Sequence, residues 1–433
     1  MGYSFHRPTS LMKTLRVRKL ILWLSVMAVA AVATDLPTPE EYRANWPRFR
    51  GPEGGGISTH GEVPLTFDVK SGANIAWSVA VPAAGFSSPV VWGRRVFLSG
   101  GDETKREVMC FEVATGKLLW QSAVPKTEGS PDENPEVPDQ CGMAAGTVAT
   151  DGLRVYAMFS NGDLAAFNFD GTVAWSKFLG TPKNQYGHAT SLLTWQDRVI
   201  VQFDQGDADD KLSKLTAFDG ATGAVVWQQP RPVGASWATP ITFDAAGKSQ
   251  LVTLAVPWVI SYSPKDGAEL WRADCLDGEV TPSPVFAGGT LFIVSPSNKL
   301  QPIRPDGQGD VTKTHLGWMA EDGIPDVTSP VSNGELIFVI NSAGMATCYD
   351  AKDGKKQWEH DFDEPCNASP SIAGNKLVLI TNSGTLIAVE AAREFKELAR
   401  SPLGEKVSAS PAFAQNRIFV RGMKHLICIG AKP

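Results

Sequence analysis

The chain has 433 residues, 43% of them hydrophobic and 20% charged, with a formal net charge of −6. That balance excludes a disordered chain, and the acidic sign excludes nucleic acid or an anionic lipid surface as a partner held by charge alone. The length exceeds the usual single domain unless the architecture grows by repetition, and 41 glycines and 30 prolines scattered between short apolar runs fit many strands joined by many turns.

At the N-terminus, Arg7, Lys13, Arg16, Arg18 and Lys19 precede the apolar run "LILWLSVMAVAAVA", which ends in the small-x-small triplet Ala31-Val32-Ala33. This reads as a signal peptide over residues 1–33, with Met12 as an alternative start, and therefore as an exported chain. The run is shorter than the roughly 20 residues of a membrane span. An uncleaved anchor is the second reading, and no stable span is expected after cleavage. Cleavage removes five cations and moves the formal charge from −6 to −11. Residues 34–73 then form an N-terminal extension to the repeat region.

The stretch "ATGKLLWQ" at 114–121 returns as "FDGTVAWS", "ATGAVVWQ", "KDGAELWR" and "KDGKKQWE". Each lies downstream of an opener made of Ser-Pro or Thr-Pro and branched apolar residues, with prolines at Pro89, Pro240, Pro284, Pro330, Pro370 and Pro411. The second and third units open instead with "GTVAT" and "TSLLT". Proline is tolerated at the first residue of a strand, where no ladder donor is needed. Eight openers roughly 40–55 residues apart, each heading four short hairpin-joined strands, predict an all-β, eight-bladed β-propeller over residues 74–433.

The last unit supplies only three strands. The missing fourth is found in "ANIAWSVAVP" at 73–82, where Trp77 takes the motif position, so an N-terminal strand completes the last blade and closes the ring. Trp77, Trp120, Trp175, Trp227, Trp271 and Trp358 are expected to pack each outer strand against the next blade. The fifth and seventh units, "DVTKTHLGW" and "AREFKELAR", depart from the pattern and lack that tryptophan.

Cys110, Cys348 and Cys428 occupy one repeat position, filled elsewhere by Ala166, Ala217, Ser261 and Ala388, which marks a packing slot for a small side chain. Cys141, Cys275 and Cys366 fall in loops leading into openers, and a disulfide among them stays open. The six histidines show no paired metal-ligand spacing, so zinc is not expected. His188, just before an opener, reads as a structural histidine or a rim residue. The acidic run "DQGDADDK" at 204–211 lacks the Asp-x-Asp-x-Asp-Gly spacing of a calcium loop and reads as a solvated hairpin tip.

Loops on a rigid scaffold usually carry recognition. The opener loops place Phe86, Tyr186, His188, Trp237, Glu279, Asp326, Asn367 and Lys406 around one rim as candidate ligand-binding residues. The mixture of aromatic, acidic and amide groups suits a peptide, a polar small molecule or a glycan. The competing reading is that these groups satisfy loop backbone and plug the channel.

The segments "FEVATGKLLW", "FDGATGAVVW" and "YDAKDGKKQW" resemble the repeat of pyrroloquinoline-quinone (PQQ) propellers, A-x-D-x-x-T-G-x-x-x-W. "NWPRFRGPEGGGIS" at 45–58 is similar to the Trp-Pro-x-x-Arg-Gly-Pro segment of exported PQQ-like propellers described as BamB-like. This resemblance implies a non-catalytic binding or assembly scaffold, periplasmic or extracellular in a bacterium, with an envelope protein or peptide as partner and no cofactor. The dehydrogenase branch of the same superfamily implies instead a quinone stacked on a tryptophan, a calcium ion, a catalytic aspartate and a disulfide between adjacent cysteines. No adjacent cysteine pair exists here. Under that alternative Glu279 and Asp326 would hold calcium and Trp237 would stack PQQ. A third reading is saccharide binding by the rim aromatics.

Overall fold

In the computed structural model, residues 1–6 and 36–432 are described, apart from 103, 132–134 and 140. The apolar core of the expected signal peptide lies outside the described residues. Leu36–Pro433 forms one compact unit, and Met1–Asp35 is a separate one whose described residues, 1–6, carry no helix or strand. Among the described residues no helix is long and apolar enough to cross a membrane.

Eight antiparallel sheets follow one another along the chain, each a meander from an inner strand to an outer one. Blade one is representative: Val90–Trp92, Arg95–Gly101, Arg106–Glu112 and Leu118–Ala123. Blade eight takes its outer strand, Ile75–Ala80, from the N-terminal side, paired antiparallel to His425–Ile429 with Trp77 opposite Cys428 and Ala80 opposite His425. Arg421, buried in this blade with no carboxylate partner among the described residues, donates to the Ser99 carbonyl (2.6 Å) and Ser87 Oγ (2.6 Å) of blade one. Burial pushes its pKa down to about 9. The ring is thus closed both by strand pairing and by a buried cation shared with backbone carbonyls.

The repeated motif acts between blades. The indole N–H of Trp77 donates to the Val113 carbonyl of the next blade (2.9 Å), Trp120 to Phe169 (2.9 Å), Trp175 to Gly220 (2.9 Å), Trp227 to Pro264 (3.1 Å) and Trp358 to Ala392 (2.9 Å). The glycine of the motif is the receiving half. Gly116 has φ +72°, and a Cβ there would lie 2.6 Å from the Trp77 ring, so the left-handed turn and the ring overhead both require glycine. On its own sheet each tryptophan faces a small partner: Trp120 faces Cys110, Trp175 Ala166, Trp227 Ala217, Trp271 Ser261 and Trp358 Cys348. This is the packing slot expected from the sequence. A β-bulge lies beside each such pair, the device by which a strand re-aims a side chain. Trp271 is the variant case. Its N–H goes to Gln250 Oε1 (2.8 Å), and Gln250 Nε2 passes the contact on to the Pro305 carbonyl of blade five (2.7 Å).

Two expectations are corrected. Blade five does have its tryptophan: Trp318 Nε1 donates to the Ala351 carbonyl (3.2 Å), and its ring covers Gly354. Regular spacing hides it because the outer strand of blade five is broken. Three laddered strands are followed by a segment held through two isolated bridges, Ile303 to Leu316 and Leu300 to Ala320. The residues in between, Gly309–Asp310, add in parallel to the outer edge of blade four. Blade seven does lack the ring, with Ala399 opposite Ala388, and the core beside it takes in Val63 and Phe67 from the N-terminal extension.

The acidic run is the second correction. Asp207 to Asp210 are exposed, but Asp204 is fully buried, where both its oxygens accept from Arg231 at 2.7 and 3.0 Å. All six cysteines are free thiols, so no disulfide joins Cys141, Cys275 and Cys366.

Candidate functional site

Two positions before the start of each inner strand stands a serine or threonine: Ser88, Thr147, Ser191, Thr239, Ser283, Ser329, Ser369 and Ser410. Their hydroxyls stitch the blades together around the central channel. The Ser88 N–H donates to Thr147 Oγ1 (2.9 Å), Thr147 to Ser191 (3.0 Å), Ser191 to Thr239 (3.1 Å) and Thr239 to Ser283 (3.0 Å). Ser283 then donates to Ser329 (2.9 Å), Ser329 to Ser369 (3.0 Å) and Ser369 to Ser410 (2.9 Å). A buried N–H without a partner costs about 1–3 kcal/mol, and a short hydroxyl satisfies it where eight inner strands converge. This is the physical reason for the Ser-Pro and Thr-Pro openers.

The segment read from sequence as a family signature fills the channel. Trp46 exchanges both backbone bonds with Val91 of blade one (2.9 Å each), and the Pro47 carbonyl accepts from Thr150 of blade two (2.9 Å). Arg48 Nη1 donates to the Pro240 carbonyl of blade four (3.2 Å), and Arg50 Nη2 donates to Pro330 of blade six (2.6 Å). Gly56 then accepts from Ile372, and Ile57–Ser58 pairs in parallel with the inner strand of blade seven. Both arginines are buried. Burial without a carboxylate brings the pKa of Arg50 down to about 9. The carbonyls of the opener prolines stand in for that missing anion. The "GGG" run is needed beside them, because a Cβ on Gly56 (φ +76°) would lie 2.7 Å from the Arg50 guanidinium.

What remains of the channel is a cup of about 160 Å³ on the opener-loop face, lined by the ring hydroxyls, with Phe49 of the plug among its walls. Phe86, Trp237 and Asn367 line this cup, as expected for rim residues. Tyr186 stands edge-on to Trp237 (centroids 5.1 Å), and Trp237 Nε1 donates to Asn184 Oδ1 (3.0 Å). Glu279 accepts from Gln185 Nε2 (3.0 Å) and from the Tyr186 hydroxyl (3.5 Å), and its charge pushes the Tyr186 pKa up. These residues form one half-exposed aromatic and acidic patch spanning the loops before blades three, four and five.

The structure does not gather the other three candidates into it. His188 is buried against Phe203 (centroids 5.7 Å), and burial pushes its pKa down to about 4. Asp326 is held by Ser342, which donates through both its N–H (2.9 Å) and its hydroxyl (2.5 Å). Lys406 is exposed but does not line the cup. The residues that sequence reasoning missed are Arg48, Phe49 and Arg50, whose signal was the "WPRFRGP" motif itself.

The residues present do not fit a calcium-held quinone. The acids proposed for the metal, Glu279 and Asp326, are each engaged by neighbouring side chains. Among the described residues no group of three or more His, Cys, Asp or Glu side chains is placed to hold a metal ion. The cup is also smaller than the roughly 300–1,000 Å³ typical of small-molecule sites.

Eight radial blades, tryptophans docked on turn glycines and a ring closed by an N-terminal strand define a β-propeller of the PQQ-repeat class. The chain belongs to the family described as "Outer membrane protein assembly factor BamB", whose model matches residues 65–206, 211–309 and 312–394. BamB of Alkalilimnicola ehrlichii is 27% identical over 222 residues, covering 51% of this chain and 51% of that protein, so the match spans about half of each. Among solved structures, BamB from Moraxella catarrhalis superposes with a TM-score of 0.61 at 14% identity, over 82% of this chain and 96% of that one. The quinohemoprotein alcohol dehydrogenase from Comamonas testosteroni superposes with a TM-score of 0.64 at 16% identity, over 90% and 81%. Likeness at these identities concerns the fold.

Proposed function

We propose that the chain is an exported, non-catalytic scaffold of the bacterial envelope that presents its opener-loop rim to a protein partner. The observation that carries this reading is the plug: the channel is filled by the chain's own Arg48, Phe49 and Arg50, which leaves a shallow cup and the surrounding loops for recognition. The patch of Tyr186, Trp237 and Glu279 has the composition of a protein-binding surface, aromatic rings beside polar groups that fix orientation. The name shared by the family and its Alkalilimnicola relative supports a role in assembling the outer membrane.

A photo-reactive residue in place of Tyr186 tests the proposal. Irradiation of the intact envelope should crosslink a defined protein partner, whereas the same probe at Val226, on the outer strand of blade three, should not. Absence of any crosslink from the rim would contradict the scaffold reading. So would PQQ binding with calcium, accompanied by dye reduction in the presence of alcohols or sugars.

A further inference from the structure

A second candidate site lies away from the rim. At the far ends of the inner strands, the residues around Trp195, Phe243 and Phe286 border a groove of about 470 Å³, walled on the other side by the short helix Pro39–Arg43 of the N-terminal extension. Opener loops enter these strands from the opposite end, so the groove and the rim are on different faces. Its volume falls within the roughly 300–1,000 Å³ of small-molecule sites, whereas the 160 Å³ cup does not.

The lining is specific in chemistry. Phe243 and Phe286 stack face to face with centroids 4.0 Å apart and rings 10° from parallel, and both are half-exposed beside Trp195 and Tyr42. Tyr42 is fixed by a 2.9 Å bond between its hydroxyl and Thr194 Oγ1, which holds the helix over the groove. Two acceptor-bearing side chains stand exposed at its edge: Asp244, which accepts from Ser249 Oγ (2.6 Å), and Gln196, at the tip of a turn with φ +52°.

Charge narrows the ligand class. Arg43 and Glu53 offset one another at 3.4 Å, and Asp151 is spent on the Tyr156 hydroxyl and on the Leu153 and Arg154 N–H groups. Arg48 interacts with Tyr42 and Glu53, and Arg154 pairs with Asp151 (3.5 Å), whereas Asp244 has no ion-pair partner among the described residues, so an anionic ligand would meet the Asp244 carboxylate with no unpaired cation to offset it. A neutral polyhydroxylated ligand meets none of that cost. Its ring faces would lie on the aromatic platform and its hydroxyls would donate to Asp244 and Gln196.

We infer that this groove is a binding site for a short neutral oligosaccharide, independent of the protein-docking rim. Saturation-transfer NMR on the full mature chain tests it with maltotriose, cellotriose and chitotriose as probes. At least one trisaccharide should bind, and Phe243→Ala should weaken it about tenfold through loss of the stacking platform. Asp244 is exposed, so Asp244→Ala keeps the fold and should weaken the same trisaccharide several-fold. Phe86→Ala, on the other face, should leave its affinity unchanged. Three outcomes overturn the inference: no trisaccharide binds, binding survives both groove variants, or a lysine-rich peptide occupies the groove while no saccharide does. None of these outcomes bears on the crosslinking at Tyr186, so the two proposals fail separately.

Discussion

His188 gives the sharpest quantitative handle on the packing behind the rim. Its ring is buried beside Phe203, its Nε2 has no hydrogen-bond partner among the described residues, and its folded pKa is about 4 because burial disfavours the imidazolium. In the unfolded chain the value returns to roughly 6.5. Below that pH the unfolded state takes up a proton that the folded state refuses, so stability falls as pH drops from about 6.5 towards 4. At pH 4.5 the penalty works out to about 2–3 kcal/mol, and at pH 7.5 it is close to zero. Urea unfolding of the wild type and His188→Leu, followed by tryptophan fluorescence at both pH values, isolates this contribution, because every other titrating group is common to the two proteins. The wild type should lose about 2–3 kcal/mol more than the variant between pH 7.5 and 4.5. Equal losses would mean that His188 titrates normally in the folded protein, and the reasoning that removed it from the rim would fail.

Trp318→Ala should cost about 2–4 kcal/mol, as expected for a docked indole, whereas Met319→Ala, at an exposed neighbour, should stay within about 0.5 kcal/mol; thermal unfolding distinguishes them. Cys110→Leu should cost about 1–3 kcal/mol by overfilling the slot opposite Trp120, read from the same melting curves. In native-state thiol labelling, half-buried Cys141 should react first, since burial pushes Cys110, Cys275, Cys348, Cys366 and Cys428 up to about 12. Arg231→Met should cost about 3–5 kcal/mol by stranding the Asp204 carboxylate, and adding Asp204→Leu should recover part of it in urea titrations.

The fold was legible because each blade repeats the same physical solution. The turn glycine, the tryptophan and the small residue facing it, as in Gly116, Trp120 and Cys110, are short-range features that a repeat exposes. Trp318 escaped because its strand is interrupted by the excursion that pairs Gly309–Asp310 with blade four, which shifts the spacing without removing the contact. The rim was legible only where opener position alone decides exposure. Phe86, Trp237 and Asn367 follow that rule. His188, two residues from Tyr186, turns inward, and no periodicity separates those two fates. The destination of Arg48 and Arg50 lies in partners some 200 to 300 residues away, Pro240 and Pro330, and long-range carbonyl contacts leave no local mark.

The proposal that the rim recognises a protein partner rests on a channel filled by residues 46–56. Hydrogen exchange measured on that segment addresses this directly. The amides of Trp46, Gly51, Gly54 and Gly56, all bonded to backbone carbonyls, should exchange as slowly as those of the inner strand Val90–Trp92. Exchange at the rate of an open loop would mean that the plug is not seated, and the channel would again be available to a small ligand.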